Sequence, residues 1–274
     1  MKAHSTPARH QRIMTLLRDH GELKARELSR ELGVTPMTVW RDLQRLGEQG
    51  LLRRVRGGAR FLGDLVVEPD FEAKTTAADQ AKSRIAVAAV SEFVREGDVI
   101  AMEGGTTVAA LVDALPDQHI SVVTNSLPIA LRMRARRPVL PVRVLGGWLS
   151  AVSGNTTGPE ALKSAALGRT SVCFLGATGW DAERGPMDPN PLEIEVKRAL
   201  AACSERVVLL MDSRKFHLAS ASVMIHPRRL HALVTDAPPP AAIARHLESE
   251  GVRVVVAANS ASNAARAICP LLPD

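Results

Sequence analysis

The apolar positions change period along the chain. Ile13, Leu16 and Leu17 recur at helical spacing, as do Ala25, Leu28 and Leu32, and then Val39, Leu43 and Leu46. Each set fits one face of a 3.6-residue helix, so the pattern predicts three successive helices. Gly33 supplies the turn after the second. Thr35 then reads as an N-cap and Pro36 as the first helical residue of the third. Around Leu52, Val55 and Ala59 the period falls to two, with Gly57 and Gly58 as a turn, which predicts a β-ribbon. Helix, turn, helix and ribbon make a winged helix-turn-helix, whose second motif helix enters the major groove of DNA.

The segment from 63 to 82 has mixed charge, little periodicity and one proline, and reads as a connector. A helical pattern begins at Lys82, with Ile85, Ala88, Ala89 and Phe93 on one side. Seven short apolar runs then alternate with helical stretches: DVIAM (98–102), ISVVT (120–124), VRVLG (142–146), SVCFLG (171–176), RVVLLM (206–211), HALVT (231–235) and VRVVVA (252–257). Continuous aliphatic runs between helices predict a mostly parallel sheet covered on both faces. The expected fold class is therefore α/β. A small N-terminal winged helix-turn-helix (1–62) is joined through a linker (63–81) to a larger, doubly wound, mostly parallel domain (82–274).

Charge sharpens this division. The net charge is +6, yet residues 1–62 hold thirteen Lys or Arg against six Asp or Glu, and the remainder is close to neutral. Such asymmetry points to a polyanion-binding module attached to a domain with another task. On the third helix Met37, Thr38, Arg41, Gln44 and Arg45 lie opposite the apolar stripe. Arginine can reach guanine or phosphate, glutamine adenine, and small or apolar groups the thymine methyl. Trp40 sits on the flank, where it either covers DNA backbone or packs internally. Arg53, Arg54, Arg56 and Arg60 on the ribbon suit phosphate or minor-groove contact. Double-stranded operator DNA is the expected macromolecular partner, read by a homo-oligomer, a dimer or tetramer, that pairs two recognition helices.

Composition excludes several classes. Aromatic content is 3% and tyrosine is absent, which argues against a stacking surface for single strands. No run reads as a signal peptide or membrane span, and the sparse, odd cysteine count fits a reducing cytoplasm, so a cytoplasmic protein is expected, nucleoid-associated when bound to DNA. The abundance of Ala, Arg and Val hints at a GC-rich bacterial genome. Cys173, Cys203 and Cys269 lack metal-ligand spacing, and His217, His226 and His231 are scattered, so no metal is expected. No nucleophile elbow or convincing Cys–His pair anchors covalent catalysis.

The residues just past each apolar run carry the remaining chemistry. Glu103-Gly104-Gly105-Thr106-Thr107 comes after the first, Asn125-Ser126 after the second and Gly147 after the third; Asp212 and Lys215 come after the fifth. Small ligands of open α/β sheets bind at the carboxyl ends of strands. Gly104 and Gly105 allow close backbone approach, and Thr106 and Thr107 open a helix whose N-terminus suits a phosphate. Walker and Rossmann fingerprints are absent, so neither nucleotide nor other cofactor is expected. Lys215 with Asp212, and Glu193 with Lys197, also fit simple ion pairs.

The stretch RHQRIMTLLRDHGELKARELSRELGVTPMTVWRDLQRLGEQGLLRRVRGGA resembles the winged helix-turn-helix of the DeoR family of bacterial transcriptional regulators. The likeness runs through Arg12-Ile13, Glu27-Leu28, Thr38-Val39-X-Arg41-Asp42-Leu43, Gly50 and Arg56-Gly57-Gly58-Ala59. Members usually carry two arginines before the aspartate; here the first is Trp40. The resemblance extends over nearly the whole chain and implies a second domain like ribose-5-phosphate isomerase that senses a phosphorylated sugar or polyol. It also implies a repressor of sugar-catabolism genes. Glu103, Gly105, Thr106, Thr107, Thr124, Asn125, Ser126, Gly146, Gly147, Asp212 and Lys215 match motifs lining the family's effector pocket, with Glu103 standing where most members have aspartate. Glu193, Glu195 and Lys197 resemble a further segment near it. The alternative reading is an aldose–ketose isomerase, with Glu103 and Asp212 as acid/base pair and a basic extension; the capped recognition helix and arginine ribbon favour the regulator, which is not an enzyme.

Overall fold

The computed structural model describes residues 6–20, 22–48, 52–55, 57–61, 79–218 and 220–258. Arg56, most of the expected connector and Cys269 fall outside them.

The first module is α1 (Thr6–His20), β1 (Glu22–Lys24), α2 (Ala25–Leu32), α3 (Pro36–Glu48), β2 (Leu52–Val55) and β3 (Gly58–Phe61). The expected apolar faces meet in one core of Ile13, Leu16, Leu17, Leu28, Leu32, Val39, Leu43, Leu46 and Leu52. Two features differ from the expectation. The ribbon has a third strand, since β1 pairs antiparallel with β3, giving the order β1-β3-β2. Three residues are too few for a period to show, so this strand is invisible to pattern reading. Gly58 is also a strand residue rather than part of the turn: Val55 pairs with Gly58. A side chain at 58 would collide with the Leu23 carbonyl, so glycine there lets β1 come close.

The larger part comprises α4 (Asp79–Phe93), β4 (Val99–Met102), α5 (Thr106–Ala109), α6 (Leu111–Ala114), β5 (Ser121–Thr124), α7 (Leu127–Arg136), β6 (Val142–Val144), β7 (Trp148–Leu149), β8 (Thr156–Thr157), α8 (Pro159–Ala165) and β9 (Thr170–Gly176). It continues with β10 (Gly179–Asp181), β11 (Gly185–Asp188), α9 (Pro191–Ala202), β12 (Ser204–Leu210), β13 (Ser222–Val223), β14 (Ala232–Thr235), α10 (Ala241–Ser249) and β15 (Arg253–Val256). The helix expected from Lys82 starts at Asp79.

All seven apolar runs become strands of one parallel sheet in the order β15-β14-β12-β9-β4-β5-β6. Alternate residues serve two cores. Ile100, Met102, Phe174, Val208 and Leu210 pack with α4 to α7, whereas Ala101, Cys173, Leu175 and Leu209 pack with α8 to α10. Burial on both faces of the inner strands β4, β5, β9 and β14 explains why they read as apolar runs, whereas the edge strands β6 and β15 are more exposed. The chain winds outward from β4 through β5 to β6, then returns to place β9 against the other side of β4. The strand order therefore reverses at β4 and β9, the position where open α/β sheets form ligand crevices. Two small antiparallel additions, β7–β8 and β10–β11–β13, lie outside this sheet.

Candidate functional site

The recognition helix is α3. Thr35 caps it as expected: its Oγ1 accepts from the Thr38 N–H at 3.2 Å and lies 2.9 Å from Thr38 Oγ1. Val39, Leu43 and Leu46 are buried, while Met37, Arg41, Gln44 and Arg45 are exposed, Met37 at 62%. The two faces of the helix are thus separated as the sequence implies. Trp40 is half-buried and packs against the module's core, so internal packing accounts for much of its surface. Arg53 and Arg54 lie on β2 and Arg60 on β3.

One functional contact was missed from sequence. Asp42, between Arg41 and Leu43, is buried and accepts from Arg9 Nε at 2.6 Å, Arg9 Nη2 at 3.1 Å and His10 Nε2 at 2.9 Å. These bonds fasten α3 to α1. Burial alone pushes the Asp42 carboxyl up, but the hydrogen bonds from Arg9 and His10 outweigh it and hold the group below the usual carboxylate range.

In the larger part, the expected residues fall at the carboxyl ends of β4, β5, β6 and β12. Thr124 Oγ1 accepts from the Ser126 N–H at 3.0 Å, and Ser126 Oγ caps α7 by accepting from the Ile129 N–H at 3.4 Å. Asn125 Nδ2 donates to the Thr156 carbonyl at 3.2 Å. Thr106 and Thr107 are buried at the start of α5, and Thr107 Oγ1 has no hydrogen-bond partner among the described residues. The helix they open is short: α5 spans only Thr106–Ala109 before α6, so its dipole is small. Gly147 is packed against the Thr157 carbonyl and Ala161, whereas Gly146 borders open space. Asp212 is buried, with Arg214 Nε donating to its Oδ1 at 2.9 Å and Lys215 Nζ 3.9 Å from Oδ2. Lys215 Nζ also donates to the Ala177 carbonyl at 2.8 Å, reaching the end of β9.

Glu103 is held more tightly than the sequence implied. Its Oε2 accepts from the Gly176 N–H at 2.9 Å, which ties β4 to β9, and its Oε1 lies 3.3 Å from Lys197 Nζ. Lys197 donates to Asp188 Oδ2 at 2.7 Å and to the Gly176 carbonyl at 3.1 Å. Burial pushes the Glu103 carboxyl above its ordinary range, with Lys197 opposing and Asp188 reinforcing the rise. Burial pulls the Lys197 ammonium down, yet Asp188 and Glu103 together push it well above its ordinary value, so it remains charged. The simple Glu193–Lys197 pair is not what forms. Glu193 instead accepts from Ser153 Oγ at 2.7 Å, Asn155 Nδ2 at 3.0 Å and Asn190 Nδ2 at 3.2 Å. Ser153, Asn155 and Asp188 were not singled out from sequence; their glycine-rich and short-strand context carries no periodic signal.

Nothing in this edge resembles a metal centre: among the described residues no cluster of three His, Cys, Asp or Glu could hold an ion. The buried Cys173 thiol is pushed up by burial, which removes it from thiolate chemistry.

A winged helix-turn-helix with an exposed arginine face, on one chain with a parallel α/β domain polar at its carboxyl edge, defines the class of two-module transcriptional regulators. Residues 9–64 match the DeoR-like helix-turn-helix domain, and residues 77–237 match the DeoR C terminal sensor domain. The chain belongs to the DeoR family. It is 29% identical over 249 residues to the HTH-type transcriptional repressor CsqR of Escherichia coli, covering 90% of this chain and 94% of that one. It is 30% identical over 247 residues to the glycerol-3-phosphate regulon repressor of the same organism, covering 90% and 97%. Among solved structures, the full-length sorbitol operon regulator SorC from Klebsiella pneumoniae aligns with a TM-score of 0.38 at 14% identity, over 89% of this chain and 99% of that one. Ribose 5 phosphate isomerase A from Neisseria gonorrhoeae aligns with a TM-score of 0.36 at 20% identity, over 51% and 53%.

Proposed function

We propose that this protein represses genes of sugar or polyol catabolism by binding operator DNA, and that a phosphorylated sugar or polyol changes its operator affinity. The observation that carries the reading is the exposed face of α3, where Met37, Arg41, Gln44 and Arg45 are open to solvent while Val39, Leu43 and Leu46 anchor the opposite side. Thr35, Thr38 and Trp40 border that face, and Arg53, Arg54 and Arg56 of the ribbon sequence add positive charge suited to the phosphate backbone. The regulator acts as a dimer or tetramer in the bacterial cytoplasm, since two recognition helices are needed to read a two-fold operator.

The effector lies at the carboxyl edge around β4 and β9. Glu103, Gly104, Gly105, Thr106, Thr107, Thr124, Asn125, Ser126, Gly146, Gly147, Asp212 and Lys215 border it, with Lys215 as the nearby cation for a phosphate. The division of labour follows the boundaries 1–62, 63–81 and 82–274. An isomerase reading is disfavoured by the ties on its acid/base pair: both Glu103 oxygens are engaged by Gly176 and Lys197, and Asp212 is engaged by Arg214. A ligand that prefers one state of the regulator shifts its population and so its DNA affinity.

The test is fluorescence anisotropy on DNA upstream of the protein's own gene, with and without sugar phosphates, followed by NMR of each hit over hours. Salt-sensitive, sequence-dependent binding that a hit alters without being consumed is the expected result. Sustained conversion of a hit, lost in Glu103→Gln, would overturn it.

A further inference from the structure

The β7–β8 hairpin is bounded by two glycines in the left-handed region, Gly147 at φ 124° and Gly158 at φ 91°. Its two sides differ. Inward, Ser153 Oγ and Asn155 Nδ2 both donate to Glu193, and Asn155 bridges to Ser126. Outward, Trp148, Leu149 and Val152 are exposed, Trp148 at 77%.

Asn155 is buried, and its chemistry is defined by its partners. The amide nitrogen donates to a carboxylate, which leaves Oδ1 as the acceptor. That Oδ1 lies against Gly104, in the space a side chain at 104 would occupy, and has no hydrogen-bond partner among the described residues. Asn125 repeats the arrangement: its nitrogen donates to Thr156 on the same hairpin, and its Oδ1 is likewise unpartnered. Buried acceptors without donors are uncommon in folded proteins. What is missing at both is a donor. A phosphate group at neutral pH brings mainly acceptors, whereas a sugar hydroxyl brings a donor.

We propose that Asn155 is a specificity-determining residue of the sensor site: its Oδ1 accepts from a hydroxyl of the bound sugar phosphate as the hairpin swings on Gly147 and Gly158. This rests on the sensor reading above and assigns its carbon-hydroxyl half, as distinct from its phosphate half, to the hairpin. Because Ser153 and Asn155 share the Glu193 contact, movement of one disturbs the other. Occupancy is thereby passed to the exposed surface around Trp148.

The experiment uses the full-length protein. Glycerol 3-phosphate, ribose 5-phosphate, fructose 1-phosphate and glucose 6-phosphate are screened by thermal shift, with inorganic phosphate as the donor-poor control. The Kd of each hit is then compared with those of its monodeoxy analogues. Wild type should bind at least one analogue about tenfold more weakly than its parent, and Asn155→Ala should bind the two within about twofold. Ser153→Ala loosens the hairpin but keeps Asn155, and should retain the discrimination. Binding should also shift the emission of Trp148, a change absent from Trp148→Phe. Discrimination that survives in Asn155→Ala overturns the proposal. If that variant does not fold, the wild-type arms decide: analogues that all bind like their parents, or Trp148 emission unmoved by a hit, overturn it equally. A screen in which no sugar phosphate raises Tm overturns the sensor reading, and the proposal with it.

Discussion

Arg9 grips Asp42 through two nitrogens, Nε at 2.6 Å and Nη2 at 3.1 Å, and so joins the first helix of the chain to the recognition helix. The pair is largely shielded, with side-chain exposures of 12% and 4%. Asp42→Ala removes three hydrogen bonds between α1 and α3, and losing bonds to a charged group should cost about 1–3 kcal/mol. A urea titration followed through Trp40, which packs against the same core, should show the loss.

The same carboxyl predicts an acid response. Its folded pKa lies below its unfolded value, so the stabilisation is complete above the unfolded pKa, near 4 for an aspartate, and fades as pH falls through the lower folded value. The Trp40-reported transition should therefore lose stability below about pH 4 in wild type, and Asp42→Asn should lose less over that range. Equal slopes would remove Asp42 from the acid response.

On DNA, Arg41→Ala should weaken specific binding by about 1–3 kcal/mol if Arg41, exposed on the outer face of α3, reads a base as proposed. Arg54→Ala should instead weaken binding to all duplexes and lower the salt slope by about one. Anisotropy at several salt concentrations separates the two. Unchanged affinity in both variants would take helix and wing out of the interface.

Lys197 lies between Glu103 and Asp188 with 4% of its side chain exposed. Lys197→Met strands two buried carboxylates and should destabilise the protein by about 3–5 kcal/mol. Urea unfolding reported by the buried Trp180, which packs in the core beneath this edge, measures it. The triple change Glu103→Gln, Asp188→Asn, Lys197→Met should recover much of the loss, since the two carboxylates that Lys197 balanced are then neutral amides.

Thr107→Val exchanges a buried hydroxyl that has no hydrogen-bond partner among the described residues for a methyl of similar size. Replacing such a group is neutral or mildly stabilising, by up to about 1 kcal/mol, so the ligand-free Tm should hold or rise. The thermal shift caused by a sugar phosphate should shrink, while operator binding without effector stays intact. A lowered ligand-free Tm would show that the hydroxyl has a structural partner.

The sequence by itself determined whatever rests on local period and local chemistry. Val39, Leu43 and Leu46 mark the buried face of α3 because a helix repeats every 3.6 residues, and Thr35 and Pro36 mark its start because capping is settled within a few residues. The apolar runs reveal the parallel sheet because its inner strands are covered on both faces and leave no exposed side for polar residues. Tertiary structure alone decided which strands are neighbours, and hence that Glu103 meets Gly176, 73 residues away. It also decided that Lys197 turns from Glu193 to Glu103 and Asp188, and that Arg9 reaches Asp42. These contacts join groups brought together by sheet order and helix packing, and no spacing along the chain encodes them. The three-residue strand β1 and the two-residue strands β7 and β8 belong to the same category: they exist because a neighbouring backbone offers partners, not because their own residues repeat.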